Sequence, residues 1–340
     1  MDMPQIQYVR TDDGVNLAYW TLGAGPPLIW SQAPTLSHLT LEWELPGRRW
    51  WYEQLASQFT VVRYSSRCAG LSDRDVPDIT PDAYTRDIVT LIDAIGASRA
   101  ALIAGDVPVH IGYLDARLSA FIALGVVDSP RVINVAKAIT EFREETWAST
   151  FADWNDPHQQ DPRDDLIRLI RGSLDAADRP RLREQYQNGM YQPPGRLGEL
   201  SVPALIVDWP QSSYRSGTTV RELSTGIPNA RLVERPGASR AMYDEDREGL
   251  LDIITRFIRD NADVLSEGAR SDAAPPATAF TSREAEILKL LAHGPTNRAI
   301  AEELGISHWT VARHVNNLLN KTDLSNRTEL AAYALENGYA

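Results

Sequence analysis

The final sixty or so residues constrain the chain most, because they lay down short amphipathic helices with a stop signal after each. Thr281 and Glu284 form a capping box, each side chain placed to satisfy a free N–H of a first helical turn. Ile287, Leu288 and Leu291 follow as one apolar stripe. His293-Gly294-Pro295 ends that helix, since neither Gly nor Pro continues it cheaply. Thr296 caps a second helix that buries Ile300, Ala301 and Leu304, and Gly305 stands where a left-handed residue closes it. Ser307 caps a third, whose inward face is Val311, Val315, Leu318 and Leu319. Ser325 starts a fourth, with Leu330, Ala331, Ala334 and Leu335 on one side.

Two helices joined by a tight Gly turn, the second with polar residues on its free face, follow the helix-turn-helix plan. The free face of the third helix offers His308, Trp309, Thr310, Arg313, His314 and Asn317. Arg and Asn read guanine and adenine edges through paired hydrogen bonds. Lys321, Arg327 and the helix start at Thr296 and Asn297 are placed to hold phosphates. The tail carries a T-x-R-E opening, an N-R-x-I-A-E-x-L-x-I-S core, a T-V-x-x-H segment and a K-x-x-x-x-N-R-T-E close. It resembles the LuxR-type helix-turn-helix over its whole length. That resemblance implies a transcription regulator that binds double-stranded DNA, with the fourth helix as a dimer surface that the Leu330/Ala334 stripe suits. One position departs: the family often has Lys after the T-V pair, and here stands Ala312. Residues 280–340 hold six Lys and Arg against seven Asp and Glu, so one copy should bind DNA weakly and a homodimer on paired half-sites is expected.

The formal net charge of −12 lies almost entirely before residue 280, where 28 basic face 39 acidic residues. That part is not expected to touch DNA or an anionic membrane. Cys68 is the only cysteine, which excludes an intrachain disulfide and fits a reducing, cytoplasmic setting. The N-terminus shows no basic-then-apolar signal and no apolar run is long enough to span a bilayer. No metal or cofactor is expected. From Ala262 to Ala279 the residues are small, contain Pro and lack apolar periodicity. The expected domains are therefore 1–262, a linker at 263–279, and 280–340.

The large domain opens with strands at Ile6–Val9 and Val15–Thr21 around Asp12-Asp13-Gly14, a hairpin signal. Apolar runs then recur at Leu28–Trp30, Val61–Tyr64, Ala100–Ala104, Phe121–Val127, Ala204–Val207 and Arg231–Val233. Helical patterns near Trp50–Gln58, Pro81–Ile95, Val109–Ala116, Val220–Thr225 and Glu245–Ile258 separate them. Strands buried on both faces and separated by helices predict an α/β fold with a mostly parallel sheet. The interval of about 129–202 is too long for one crossover and reads as a helical lid around Leu166, Leu169, Ile170 and Leu174. This layout resembles the α/β-hydrolase fold. Two local segments agree, Tyr64 to Asp73 and the run Arg235-Pro236-Gly237-Ala238-Ser239-Arg240.

Hydrolysis on such a fold needs a nucleophile on a sharp strand-to-helix turn, a His base and an acid that orients the His. The resemblance places Asp106 in the nucleophile slot, or Val107 if the register moves by one. It places Arg240 where the His belongs and Gln211 or Ser212 where the acid belongs, with Asp208 nearby. Arg stays protonated and cannot act as a base. Pro108 has no N–H to offer an oxyanion. The expected sensor is thus a degenerate hydrolase. Asp106 and Arg240 either pair at the pocket floor or leave Arg240 to clamp an acidic ligand.

Candidate pocket walls are Trp30, Ser31 and Gln32, then Trp209 and Tyr214, and Trp147, Trp154 and Tyr191 from the lid. Eight of the nine Trp residues precede residue 280, which favours a small, partly aromatic or apolar ligand with one polar or anionic group. Three readings follow: a ligand-responsive regulator, a bifunctional hydrolase with a DNA-binding tail, and a pseudo-hydrolase that docks another protein.

Overall fold

In a computed structural model the structure describes residues 1–105, 115–125, 161–175, 197–212, 217–237, 244–271, 282–304 and 327–337. It also describes the isolated residues 148, 149, 152, 153, 178, 180, 311, 315, 318, 322, 324 and 339. The chain divides into two compact units, Met1–Leu265 and Ser266–Ala340.

The first unit is built on one eight-stranded sheet. Its strands are β1 (Gln7–Arg10), β2 (Asn16–Leu22), β3 (Pro27–Ser31), β4 (Thr60–Tyr64), β5 (Ala100–Ala104), β6 (Leu118–Leu124), β7 (Ala204–Asp208) and β8 (Ala230–Glu234). They lie in the order β1-β2-β4-β3-β5-β6-β7-β8. β1 and β2 pair antiparallel, β2 pairs antiparallel with β4, and every later pairing is parallel. β6 begins at Leu118, three residues before the apolar run that marks it in the sequence, because Leu118 and Ala120 are buried as well. Of the helix expected at Val109–Ala116, the described end is a single 3₁₀ turn at Asp115–Arg117.

Alternation along the strands sends side chains to two cores. Ile29, Leu102, Phe121 and Ile206 face one side with Ile88, Leu91 and Ile92 of α3 (Pro81–Ala94) and with Leu223 of a later helix. Leu28, Trp30, Ala101, Ile103, Leu205 and Val207 face the other. That second core takes α1 (Leu39–Glu44), α2 (Pro46–Ala56) and the buried face of the C-terminal helix of this unit. It is unusually aromatic. Trp20 meets Tyr52 edge-on at 5.1 Å, and Trp30 meets Trp51 at 5.9 Å and Tyr52 at 5.7 Å.

Charged groups are buried here in hydrogen-bonded pairs, as their desolvation demands. Arg63 on β4 donates from Nε to Glu42 Oε2 at 2.9 Å and from Nη2 to Oε1 at 2.7 Å. The Tyr52 hydroxyl donates to the same carboxylate at 2.5 Å. Arg67 grips Asp87 of α3 with Nε and Nη2, at 2.9 Å and 2.6 Å. Its Nη1 donates to Asp13 in the β1–β2 turn at 2.8 Å. Burial alone would raise the Asp13 pKa, but hydrogen bonds from Arg67 and Thr11 and the charges of Arg67 and Arg86 bring it down to about 2.

The remaining helices of the unit are α4 (Arg163–Ser173), α5 (Gly217–Gly226) and α6 (Arg247–Ser271). α6 docks through Leu250, Ile254, Phe257 and Ile258. It stays helical to Ser271, well into the stretch that composition marks as linker. Ala262, Leu265, Glu267 and Ala269 are good helix formers, so extending an existing helix through them costs little once it is nucleated.

The second unit contains α7 (Ser282–Leu291), α8 (Asn297–Leu304) and α9 (Arg327–Glu336). Between α8 and α9, Val311, Val315 and Leu318 are helical and buried with Ile287, Leu288, Leu291, Ile300, Leu330 and Ala334. Gly294 sits at φ +77° and donates to the Leu291 carbonyl at 3.0 Å, which stops α7. Among the described residues no helix is long and apolar enough to cross a membrane.

Candidate functional site

Parallel register lines up the strand ends that would carry chemistry in the first unit. Ser31 stands opposite Ala104, Ala104 opposite Ala123, Leu124 opposite Val207, and Asp208 opposite Glu234. The loops that leave β5, β7 and β8 therefore start at the same carboxyl edge, with β6 between β5 and β7, the edge where open α/β sheets bind ligands. Gly105 donates to the Ser31 carbonyl at 3.3 Å, Gly125 to Val207 at 3.1 Å, and Arg235 to Asp208 at 2.8 Å. The residues expected to act here that lie outside the described ones are Asp106, Val107, Trp147, Trp154, Tyr191, Tyr214 and Arg240.

The described candidates are strongly engaged. Trp30 faces the aromatic core beside Trp51 and Tyr52 and is 1% exposed, because β3 turns it away from Ser31. The Ser31 hydroxyl pairs with the Tyr64 hydroxyl at 2.8 Å. Burial pushes that phenol's pKa up, so it stays protonated. The Gln32 carbonyl accepts from the Ser66 hydroxyl at 3.2 Å. Ser212 closes a tight turn, donating its N–H to the Trp209 carbonyl at 2.9 Å. Trp209 is 2% exposed, and its ring lies within 4.0 Å of where a side chain on Gly125 would begin.

Asp244 joins two of these loops, a role the sequence reading missed. Its carboxylate accepts from the Trp209 indole at 2.7 Å and from Arg235 Nη2 at 2.9 Å. The loop expected to carry Arg240 is thus held at both ends, by Arg235 and by Asp244. Asp244 lies in an acidic run before a helix start, which reads in sequence as an ordinary helix cap.

Part of the interval read as a lid is α4, and it is fastened down. Leu166, Leu169 and Ile170 pack on Leu36, Leu45, Ala69 and Tyr84. Gly70 donates to the Ser173 carbonyl at 2.9 Å, and Arg74 donates to Gly172 at 2.8 Å and pairs with Asp178 at 2.6 Å. Asp161 accepts from the Gly47 N–H at 2.8 Å. His38, the one described histidine of this unit, caps α1 by accepting from Leu41 at 3.4 Å. Burial lowers its pKa, so the ring is neutral there.

In the second unit the Thr296 hydroxyl accepts from the Ala299 N–H at 3.2 Å, the cap read from the sequence. Arg327 donates to Asn297 Oδ1 at 2.5 Å and also to the Pro295 carbonyl. Burial lowers its pKa, and the guanidinium keeps its charge. His308, Trp309, Thr310, Arg313, His314, Asn317 and Lys321 lie outside the described residues. The Leu330/Ala334 stripe, expected to suit a dimer, is instead fully buried in the unit's own core. α9 packs that face on α7 and leaves Ala332 and Leu335 outward, the latter 56% exposed.

Residues 278–334 match the model of bacterial regulatory proteins of the luxR family. The chain is 50% identical over 62 residues to the transcriptional regulatory protein LiaR of Bacillus subtilis, covering 18% of this chain and 29% of that protein. It is 38% identical over 170 residues to the uncharacterized transcriptional regulatory protein YxjL of the same organism, covering 42% of this chain and 78% of that one. With LiaR, then, the shared part is under a third of the relative's length. The first unit is similar in structure to a hydrolase from Pseudomonas aeruginosa PA01, with a TM-score of 0.60 and 20% identity over 76% of this chain and 99% of that one. The enol-lactonase from Burkholderia xenovorans LB400 gives 0.55 and 20% over 74% of this chain and 100% of that one. At these identities the likeness shows the α/β-hydrolase fold alone.

Proposed function

The chain belongs to the luxR family of bacterial regulatory proteins, and from that premise we propose that its hydrolase-fold unit is a receptor that holds a small molecule without turning it over. The chain is a DNA-binding transcriptional regulator with a hydrolase fold on one unit. The observation that carries the receptor reading is the content of the three loops at the carboxyl edge. By the hydrolase resemblance their sequence puts Asp106 or Val107, Gln211 or Ser212, and Arg240 in the slots where hydrolysis needs a nucleophile, an acid and a His. Arg240 cannot accept the proton, and Ser212 has no negative charge with which to stabilise a protonated base. The Asp244 hydrogen bonds to Trp209 and Arg235 tie the described ends of two of these loops together.

The ligand class inferred from the sequence is small and partly apolar with one polar or anionic group for Arg240 to hold. The boundaries 1–262, 263–279 and 280–340 remain the working division for variants. Signalling requires that the ligand bind the two DNA-binding states of a homodimer with different affinity. A cytoplasmic setting belongs to the same reading. The test is a thermal-shift screen of the full-length chain against aromatic and short-chain carboxylic acids, followed by DNA affinity with and without each hit. A ligand that raises the melting point and moves DNA affinity supports the proposal. Turnover of esters, epoxides or haloalkanes that vanishes in Asp106→Ala would replace it with an enzyme, and the absence of any hit would favour a protein-docking role.

A further inference from the structure

We propose that two copies of the first unit join through β8, edge to edge and antiparallel, about a two-fold axis at Leu232. The inference rests on the reading of a homodimeric regulator and deepens it by naming the surface. The Leu330/Ala334 stripe is buried in the second unit's own core. Among the described residues β8 ends the sheet. On its inner side the Asn229 carbonyl accepts from Ala204 at 3.3 Å and the Arg235 N–H donates to Asp208 at 2.8 Å. Backbone direction alternates along a strand, so Asn229, Arg231, Val233 and Arg235 bond toward β7, while Ala230, Leu232 and Glu234 turn outward. The Ala230 N–H donates to the Ile227 carbonyl at 3.1 Å. Among the described residues the Leu232 N–H and C=O have no such partner, and its side chain is 41% exposed.

An open edge of this kind is a template for another strand, and the strand's own sequence selects a second copy. A two-fold axis normal to the sheet makes the added strand antiparallel and keeps every side chain on its own face. Centred on Leu232, it sets Leu232 opposite Leu232 of the second copy, Arg231 opposite Val233, and Ala230 opposite Glu234. No like charges meet in that register. Moving the axis to Arg231 sets one guanidinium against another, and moving it to Val233 sets Leu232 against Glu234. At the Leu232 centre the two outward backbones exchange a pair of hydrogen bonds, and the two leucine side chains cover each other. β8 also runs through Arg235 into the stretch of sequence that holds Arg240, so the joined edge is continuous with a loop of the proposed ligand site.

The experiment treats the full-length chain carrying Leu232→Cys with a thiol oxidant and follows covalent dimer on a non-reducing gel. Tyr8→Cys, exposed on β1 at the far edge of the sheet, is the control. In a hydrogen-bonded antiparallel pair the Cα atoms lie about 5.5 Å apart, within reach of a disulfide. The native Cys68 is buried, so the wild type supplies the background. Leu232→Cys should form a covalent dimer and Tyr8→Cys should not. No cross-link in Leu232→Cys, or equal cross-linking in both variants, would overturn the proposal. Leu232→Pro is the second variant. It removes an outward donor and leaves the bonds to β7 in place, so the sheet is kept. It should raise the dimer dissociation constant by about tenfold or more in analytical ultracentrifugation. An unchanged constant would overturn β8 as the interface and leave the homodimer reading standing. A wild-type chain that stays monomeric throughout the concentration range, with and without DNA, would overturn both.

Discussion

The Trp209 indole donates to the Asp244 carboxylate at 2.7 Å, so the loop after β7 and the loop after β8 share one buried hydrogen bond. Trp209→Phe removes the donor and leaves a small cavity where the larger indole packed, and should cost about 2–3 kcal/mol. Asp244→Ala strands the indole and leaves Arg235 with Asp246 as its remaining carboxylate, and should cost about 2 kcal/mol. Urea unfolding of both variants and of the pair checks this. The double variant should be less destabilised than the sum of the two, and strict additivity would mean the bond contributes nothing.

The Glu42–Arg63 pair lies wholly inside the aromatic core, with side chains 1% and 0% exposed. Glu42→Leu leaves the guanidinium buried without its carboxylate and should destabilise by about 3–5 kcal/mol. Adding Arg63→Met and Tyr52→Phe should recover most of that, since the apolar set has no charge to desolvate and leaves no buried hydroxyl without its acceptor. A triple variant no better than Glu42→Leu in chemical unfolding would contradict this account.

Asp13 gives the acid limb of stability a definite sign. Its folded pKa of about 2 lies below the ordinary Asp value of about 3.9. Between those values the unfolded chain takes up a proton and the folded one does not. Its contribution is therefore complete above pH ~4 and is lost as pH falls toward ~2. The gap in unfolding free energy between wild type and Asp13→Asn should shrink by about 1–2 kcal/mol over that interval. A gap that stays constant from neutral pH down to acid would show that the Arg67 and Arg86 contacts do not shift this group.

Gly70 has φ +54°, and a methyl group on it would start 2.0 Å from the Ser37 carbonyl oxygen. Both the backbone conformation and the close approach oppose a side chain. Gly70→Ala should cost about 2–4 kcal/mol, more than the conformational penalty alone. It should also raise proteolysis around α4, whose last carbonyl takes the Gly70 N–H. Equal melting temperatures for variant and wild type would refute the argument.

The parts of the fold that sequence made readable are those governed by repetition. Val61–Tyr64, Ala100–Ala104 and Ala204–Val207 are apolar because both of their faces are covered, and each pairs in parallel with at least one neighbour. Gly294 and Thr296 punctuate the tail through local backbone chemistry, so their roles could be read directly. Pairing between distant segments was not readable. Glu42, Arg63 and Asp244 look like surface charges until the fold brings their partners to them. Trp30 was considered a pocket wall, yet which side of β3 it faces depends on what packs there. The Leu330/Ala334 stripe was visible as a stripe, but periodicity does not say whether a helix face meets its own core or a second copy.

Arg67 gathers Asp13, Asp87 and the loop between them within the first 87 residues of the chain. During synthesis those partners are all present before β5 has been made. From β3 onward the strand order is β5, β6, β7 and β8, which is also the order of the chain. Once β5 has paired with β3, each later strand arrives beside the one made just before it, so that edge of the sheet can lengthen strand by strand as the chain emerges.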